Sequence, residues 1–425
     1  MQQFPFDFND LPTPTYLVGG WVRDRLLNRQ SKYLDLDFVL PEKAVETAQA
    51  IARKYKAGFV VLDAERQIAR VVFKNGTADF AQQMGQSIEA DLGRRDFCMN
   101  AIALECHQTS QNNDQNVQNA QNISASTNVQ DFLSENSYHF IDPLNGIRDL
   151  QEQKIRMVAP ENLAEDPLRI LRGYRQAAQL GFAIEGLTRQ VLIKFAPKLK
   201  SIAAERVRTE LGYLLSTQNG NQWMLEAIGD RILEDWLPSQ HLNLARFTQI
   251  GRVIRDLLAK FPHLDLFFSK QLAGDRYALV TIELAALTNS ATALEPLGLS
   301  RAEQRWLVGI LRYLPQFMTL VSQATRTAQY KFFQATLEFF PAIAALALAS
   351  GCDLESVAPW LERWLNPHDA IAYPVALISG DDLRNELGIA PSPKIGELLE
   401  SVKIAQVEGK IQSKQEAIDL IQSIM

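Results

Sequence analysis

Two aspartates two residues apart, Asp35 and Asp37, offer the plainest chemistry in this 425-residue chain. They sit in Leu34-Asp35-Leu36-Asp37-Phe38, an alternation that reads as a β-strand with both carboxylates on one face and Leu34, Leu36 and Phe38 on the other. Hard carboxylate oxygens at that spacing suit a pair of Mg²⁺ ions. Two such ions can stabilise both the attacking and the leaving oxygen of an in-line displacement at phosphorus. Asp79 adds a third carboxylate if its strand neighbours theirs. Upstream, Gly19-Gly20 stands where a β-type run gives way to a helical stretch carrying Arg23 and Asp24. Glycines there let backbone approach a phosphate, and a helix start favours negative charge. Taken singly, Asp-x-Asp also suits a solvated edge strand and Gly-Gly an ordinary turn. The order strand, Gly-Gly, helix, Asp-x-Asp strand is the informative feature.

The elements that must position these groups alternate. Residues 15–18 read as a strand, 21–27 as a helix, 34–40 as a second strand stopped by Pro41, and 42–55 as a helix. Runs 68–74 and 77–81 flank Asn75-Gly76, a hairpin signal whose two turn positions call for positive φ. Residues 101–104 and 138–141 read as strands of a second hairpin around 108–136. That stretch is rich in Gln, Asn and Ser and reads as a disordered insert. From Leu163 onward strand signals vanish and helical periodicity runs to the end, with breaks near 218–221, Pro262, 289–295 and 367–374. The fold class is α+β: a head with a mixed sheet (1–158), then a helical neck (159–217), body (218–310) and tail (311–425).

The net charge of −6 and pI of about 5.6 exclude a wholly basic polyanion binder and confine any RNA site to a local groove. Three cysteines and five histidines without ligand spacing argue against zinc and disulfides. The first residues, without a basic flank followed by a long apolar run, do not read as a signal peptide. The longest apolar stretch, residues 339–349, is interrupted by Pro341 and too short to span a bilayer. The expectation is a cytoplasmic protein without a membrane partner.

Residues Leu17-Val18-Gly19-Gly20-Trp21-Val22-Arg23-Asp24, followed by Leu34-Asp35-Leu36-Asp37, resemble the first motif of class II tRNA nucleotidyltransferases and bacterial poly(A) polymerases, members of the polymerase-β-like superfamily. Asp91-Leu92-Gly93-Arg94-Arg95-Asp96-Phe97-Cys98-Met99-Asn100-Ala101 resembles the second motif, with Cys98 where the family usually has Thr. Ile141-Asp142-Pro143 with Gly146, Asp149 and Leu150 resembles the third, Glu165-Asp166-Pro167-Leu168-Arg169-Ile170-Leu171-Arg172 the fourth, and Ala204-Glu205-Arg206-Val207-Arg208-Thr209-Glu210-Leu211 the fifth.

The resemblance implies attack of a tRNA 3′ hydroxyl on the α-phosphate of CTP or ATP. Asp35 and Asp37 would hold two Mg²⁺ ions, with Asp79 a third catalytic carboxylate. Gly19, Gly20, Arg23, Arg94, Arg95, Asp96 and Asn100 would cradle triphosphate and ribose. Asp166 and Arg169, supported by Glu165, would choose the base, Arg172 and Arg175 would meet phosphates, and residues 205–210 would brace the neck. The base logic is chemical: three apart on a helix, a carboxylate and a guanidinium share a face. One accepts and the other donates hydrogen bonds. Cytosine and adenine match that pair, while uracil and guanine present the reverse pattern. The alternative is an ordinary i, i+3 surface ion pair. The helical half would hold the acceptor and T arms of tRNA.

Eleven residues, 80–90, separate the Asp79 strand from Asp91, where full CCA-adding members usually carry a longer flexible, charged segment. The short connection resembles the CC-adding subgroup. Full CCA addition, poly(A) synthesis and a catalytically silent RNA-binding protein are the rival readings. A silent relic should have lost a metal carboxylate or the base-reading pair, and all four residues are present.

Overall fold

Alternation along Leu34–Leu40 sets the head. Leu34, Leu36 and Phe38 are buried beneath the strand, while Asp35 and Asp37 stand on its other face. The computed structural model describes residues 4–29, 31, 33–106, 139–274 and 276–425. The 108–136 insert lies outside the described residues. Seven strands form one mixed sheet in the order β3-β4-β5-β2-β1-β6-β7. They are β1 (Tyr16–Val18), β2 (Leu34–Leu40), β3 (Gly58–Asp63), β4 (Ile68–Phe73), β5 (Gly76–Gln82), β6 (Ala103–Glu105) and β7 (Phe140–Ile141). β2 and β5 run parallel, and the other neighbours are antiparallel. Helix α1 (Gly20–Leu26) joins β1 to β2, and α2 (Ala44–Tyr55) buries Ala44, Ala48, Ile51 and Ala52 at helical spacing. Phe38 stacks on Phe80 with ring centroids 5.1 Å apart, and Phe6 packs on both. That apolar face leaves the opposite face of the sheet for polar work.

Two expectations need correction here. The hairpin forms, but its turn is Lys74-Asn75, since Phe73 pairs with Gly76. Neither Asn75 nor Gly76 has positive φ. Glycine is demanded at 76 by close approach: a Cβ would stand 2.6 Å from the Leu34 carbonyl oxygen of the parallel neighbour. Strand signals also do not vanish after Leu163. Lys154–Ile155 pairs with Ala183–Ile184, and Gln271–Ala273 with Arg276–Tyr277. Such short ladders have no room for a readable alternation.

The chain divides into two units, Met1–Glu210 with Gly229–Ile232, and Leu211–Ile228 with Leu233–Met425. The second unit is helical. Phe317, Phe332, Phe333, Phe340 and Trp360 interlock in its core, and Ile378, Leu383, Leu398, Val402 and Ile421 form a separate apolar cluster near the C-terminus. Capping boxes at Ser300/Glu303, Ser379/Asp382 and Ser413/Glu416 start three of its helices. Among the described residues no single helix is long and apolar enough to cross a membrane. The pair Arg326–Thr336 and Phe340–Ala349 passes by composition but bends by 110°.

Arg246 and Glu283 are buried inside this second unit. Arg246 donates to the carbonyls of Ala285, Ala286 and Thr288, closing the end of the apolar helix Ala278–Leu287. Glu283, on that helix, is buried with Oε2 lacking a hydrogen-bond partner, and burial pushes its carboxyl up to about 8, offset only in part by the neighbouring Asn221 amide. An acid whose folded pKa is raised loses stability as pH climbs from its ordinary value, near 4.5, to about 8. Glu283→Gln should therefore raise the melting temperature at pH 8, by on the order of a few kcal/mol of stability, and change little at pH 4.5. Equal gains at both pH values would show that packing rather than titration is responsible.

Candidate active site

The polar face of the sheet is built from β2 and β5, and parallel register sets Asp37 beside Asp79. Three carboxylates thus share one face, but their partners differ. Thr77 Oγ1 donates to Asp35 Oδ1 at 2.7 Å. Asp79 receives Arg70 through both oxygens, Nε to Oδ1 at 2.6 Å and Nη2 to Oδ2 at 2.7 Å. Burial pushes Asp37 up to about 6, against the pull of Arg95 and with the push of Asp35 and Asp79. Asp35 and Asp37 are therefore the carboxylates placed to take a divalent ion. Mg²⁺ fits that set, since it binds through one or two carboxylates and completes its shell with substrate phosphates. Asp79 is already satisfied by a cation supplied by the protein.

Gly19 ends β1 with φ of 77°, a region closed to most side chains, and a Cβ there would lie 2.9 Å from Asp37 Oδ2. Gly19→Ala should strain the turn and displace that carboxylate together, lowering kcat by about a hundredfold or more. The check is steady-state kinetics beside a thermal melt: full activity in a folded variant would remove the glycine turn from the site.

A cleft of about 530 Å³ opens over this face. Every residue put forward from the sequence lines it except Asp79 and Asp166, and seven arginines stand there against five carboxylates. A locally basic groove in an acidic chain is what a triphosphate needs. Asp96 is buried. Burial alone would push it up, but Arg172 at 3.2 Å, with hydrogen bonds from Asn100 and the Phe97 amide, holds its carboxyl below the usual range. Arg23 Nη1 donates to Asn100 Oδ1 at 3.0 Å. Arg94 pairs with Glu165 at 3.0 Å, and Arg175 with Glu210 at 2.6 Å. Cys98 is buried with its thiol pushed up to about 12 by burial, as a packing substitution requires.

The pair expected to read the base differs from expectation in one respect. Asp166 is not on a helix. It lies between helices Pro160–Glu165 and Leu168–Leu180 with φ −127° and ψ 93°, because a residue before proline is driven out of the helical region. Its Oδ1 accepts from the Leu168 amide at 3.3 Å, and its carboxylate pairs with Arg206 at 3.2 Å. Arg169 Nη1 donates instead to the carbonyls of Arg94 and Asn162. An i, i+3 pair between Asp166 and Arg169 is thus not what holds either residue. Sequence reasoning passed over Arg70, Asn162 and Gln176, and placed Arg206 only as a brace of the neck, not as the partner of Asp166. Of these, Gln176 was within reach, since it falls four and seven residues after Arg172 and Arg169 on one helix.

Residues 15–156 match the poly A polymerase head domain, 181–244 the probable RNA and SrmB-binding site of polymerase A, and 274–421 a putative tRNA nucleotidyltransferase domain 2. The chain is 42% identical to a CC-adding tRNA nucleotidyltransferase of Synechocystis sp., over all of this chain and 96% of that one. The chain belongs to the tRNA nucleotidyltransferase and poly(A) polymerase family. A CC-adding relative from Geobacter sulfurreducens is 30% identical over 95% of this chain and 90% of its own. More distant relatives include A-adding and CCA-adding enzymes. The α+β fold matches a solved CCA-adding enzyme with ATP at TM-score 0.72 and 22% identity, covering 97% of this chain and 92% of that one.

Within this nucleotidyltransferase family architecture, the first, second and fourth motifs line the cleft. The third supports it from behind. Asp142 accepts from the Gly146 and Ile147 amides, and a Cβ on Gly146 would stand 2.2 Å from the Cys98 carbonyl oxygen. That close approach seats helix Gly146–Gln151 against the turn bearing Asn100.

Proposed function

We propose that this nucleotidyltransferase adds CC to the 3′ end of tRNA from CTP. The observation that carries the choice is the connection from β5 to helix α3 (Ile88–Leu92). It is a tight turn in which the Met84 amide donates to Asp91 Oδ1 at 2.9 Å and Gly85 adopts φ of 91°. Such a connection is too short to reach across the cleft and reset the base reader for a different nucleotide. The CC-adding names of the two relatives at 30% identity or more favour the same choice.

The tRNA 3′ oxygen bonds to the α-phosphorus, the α–β phosphoanhydride breaks, pyrophosphate leaves, and the hydroxyl proton passes to water. Mg²⁺, when bound at Asp35 and Asp37, supplies charge neutralisation of both oxygens. Gly19, Gly20 and Arg23 cradle the triphosphate, Asp96 and Asn100 lie toward the ribose, and Arg94, Arg95, Arg172 and Arg175 line the phosphate path. Asp166 and Arg169 select the base, with Arg206 paired to Asp166 and Glu165 paired to Arg94. Most of the catalysis is positioning and electrostatics. The helical half takes the acceptor and T arms of the tRNA. Three free cysteines fit a cytoplasmic setting.

The test is incubation with tRNA ending at the discriminator base, Mg²⁺, and CTP and ATP singly and together, followed by sequencing of the 3′ ends. Ends of CC in the presence of ATP are expected. CCA ends would overturn the loop argument, long A tails would move the reading to poly(A) synthesis, and no extension would restore the silent RNA binder.

A further inference from the structure

Asn100 sits at a junction. Its Oδ1 receives Arg23 Nη1 at 3.0 Å, and its Nδ2 donates to Asp96 Oδ1 at 3.0 Å and to Gln176 Oε1 at 2.9 Å. A side-chain amide has two N–H groups, and here each has its own acceptor. The amide therefore has one permitted orientation. Turned over, it would set its NH₂ against the Arg23 guanidinium and its oxygen against two acceptors. Gln176 is 1% exposed, so the contact is shielded from competing water. It belongs to helix Leu168–Leu180, which also carries Arg169 and Arg172.

We propose that Gln176 is a positioning residue: through Asn100 it sets the guanidinium of Arg23, and so links the grip on the triphosphate to the helix that carries the base reader. The inference rests on the nucleotide-binding reading of the cleft. Arg23 and Gln176 share Asn100 as a partner, and a shared partner makes the effects of two substitutions non-additive. A purely structural role would lower the melting point and leave the two effects independent.

The test is a double-mutant cycle on the full chain, with CTP affinity measured by calorimetry in Mg²⁺ and thermal melts beside it. Gln176→Leu keeps the bulk, removes the acceptor and leaves an Asn100 N–H buried and unsatisfied. It should weaken CTP binding by about tenfold in the wild-type background. In an Arg23→Ala background the same change should cost about twofold or less, because the group being positioned is gone. CMP, which lacks the outer phosphates, should bind with little change on Gln176→Leu. Where Gln176→Leu melts below the assay temperature, Gln176→Asn takes its place. It keeps an amide but draws it back by one methylene. A tenfold loss in both backgrounds, or an equal loss for CMP and CTP, overturns the relay. If Arg23→Ala alone leaves CTP affinity unchanged, the triphosphate cradle itself is wrong, which is a separable failure.

Discussion

Asp37→Asn is expected to lower kcat for nucleotide addition by about a thousandfold or more while the protein stays folded. The substitution keeps the shape and removes one negative charge and one hard oxygen ligand. Asp37 is the residue for which this matters most. It lies between Asp35 on its own strand and Asp79 across the ladder, beneath a glycine turn too close to admit a Cβ. Three carboxylates on one face repel each other; Arg70 pairs directly with Asp79, and the pull of Arg95 and Arg70 on Asp37 does not outweigh its burial. Taking away one of these charges should leave the melting temperature unchanged or raise it, the usual relation between a functional charge cluster and stability. Single-turnover extension of tRNA with saturating CTP, beside a melt, reads both quantities. Retention of more than about a hundredth of the activity would remove Asp37 from the metal-holding role.

The second large effect concerns fidelity. Asp166→Ala should reduce the preference for CTP over UTP by about two to three orders of magnitude, with a smaller loss in the rate with CTP. A site built to hydrogen-bond a substrate group discriminates strongly because the wrong partner leaves buried groups unsatisfied. Asp166 suits that role because its carboxylate is held on two sides, by the Leu168 amide and by Arg206, rather than free to rotate. Incorporation of each of the four nucleotides on one tRNA, compared as kcat/KM, measures the preference. An unchanged ratio would place base selection on other residues.

Much of the site is legible in the sequence because most of the residues lining the cleft sit at fixed offsets on regular elements. Alternation in β2 placed Asp35 and Asp37 on one face, and that face is where they stand. What failed was local geometry that several residues decide together. Setting the hairpin turn at Asn75-Gly76 pairs Arg70 with Ala81. The true turn, one residue earlier, pairs it with Asp79. A two-residue slip preserves the faces of the strand, so Asp79 was aimed correctly while the arginine that satisfies it stayed hidden. Strand β3 was missed because Phe59, Val60, Val61 and Leu62 are all exposed at the sheet edge and carry no inside-outside rhythm. Asp166 was put on a helix although Pro167 follows it. Arg206 lies forty residues away from Asp166, a separation that no local pattern spans.

The pairing of β6 with β7 has a practical consequence. Leu104 lies opposite Phe140, the Glu105 amide donates to the His139 carbonyl at 3.2 Å, and His139 Nδ1 lies 2.8 Å from Glu105 Oε2. Residues 105 and 139 thus lie side by side, on the strand pair at the sheet edge farthest from β3. A turn of about two to five residues bridges such ends. New chain termini, a reporter domain or a split between two separately expressed fragments can therefore be engineered between residues 106 and 139. The strands on either side would bring the halves back into register.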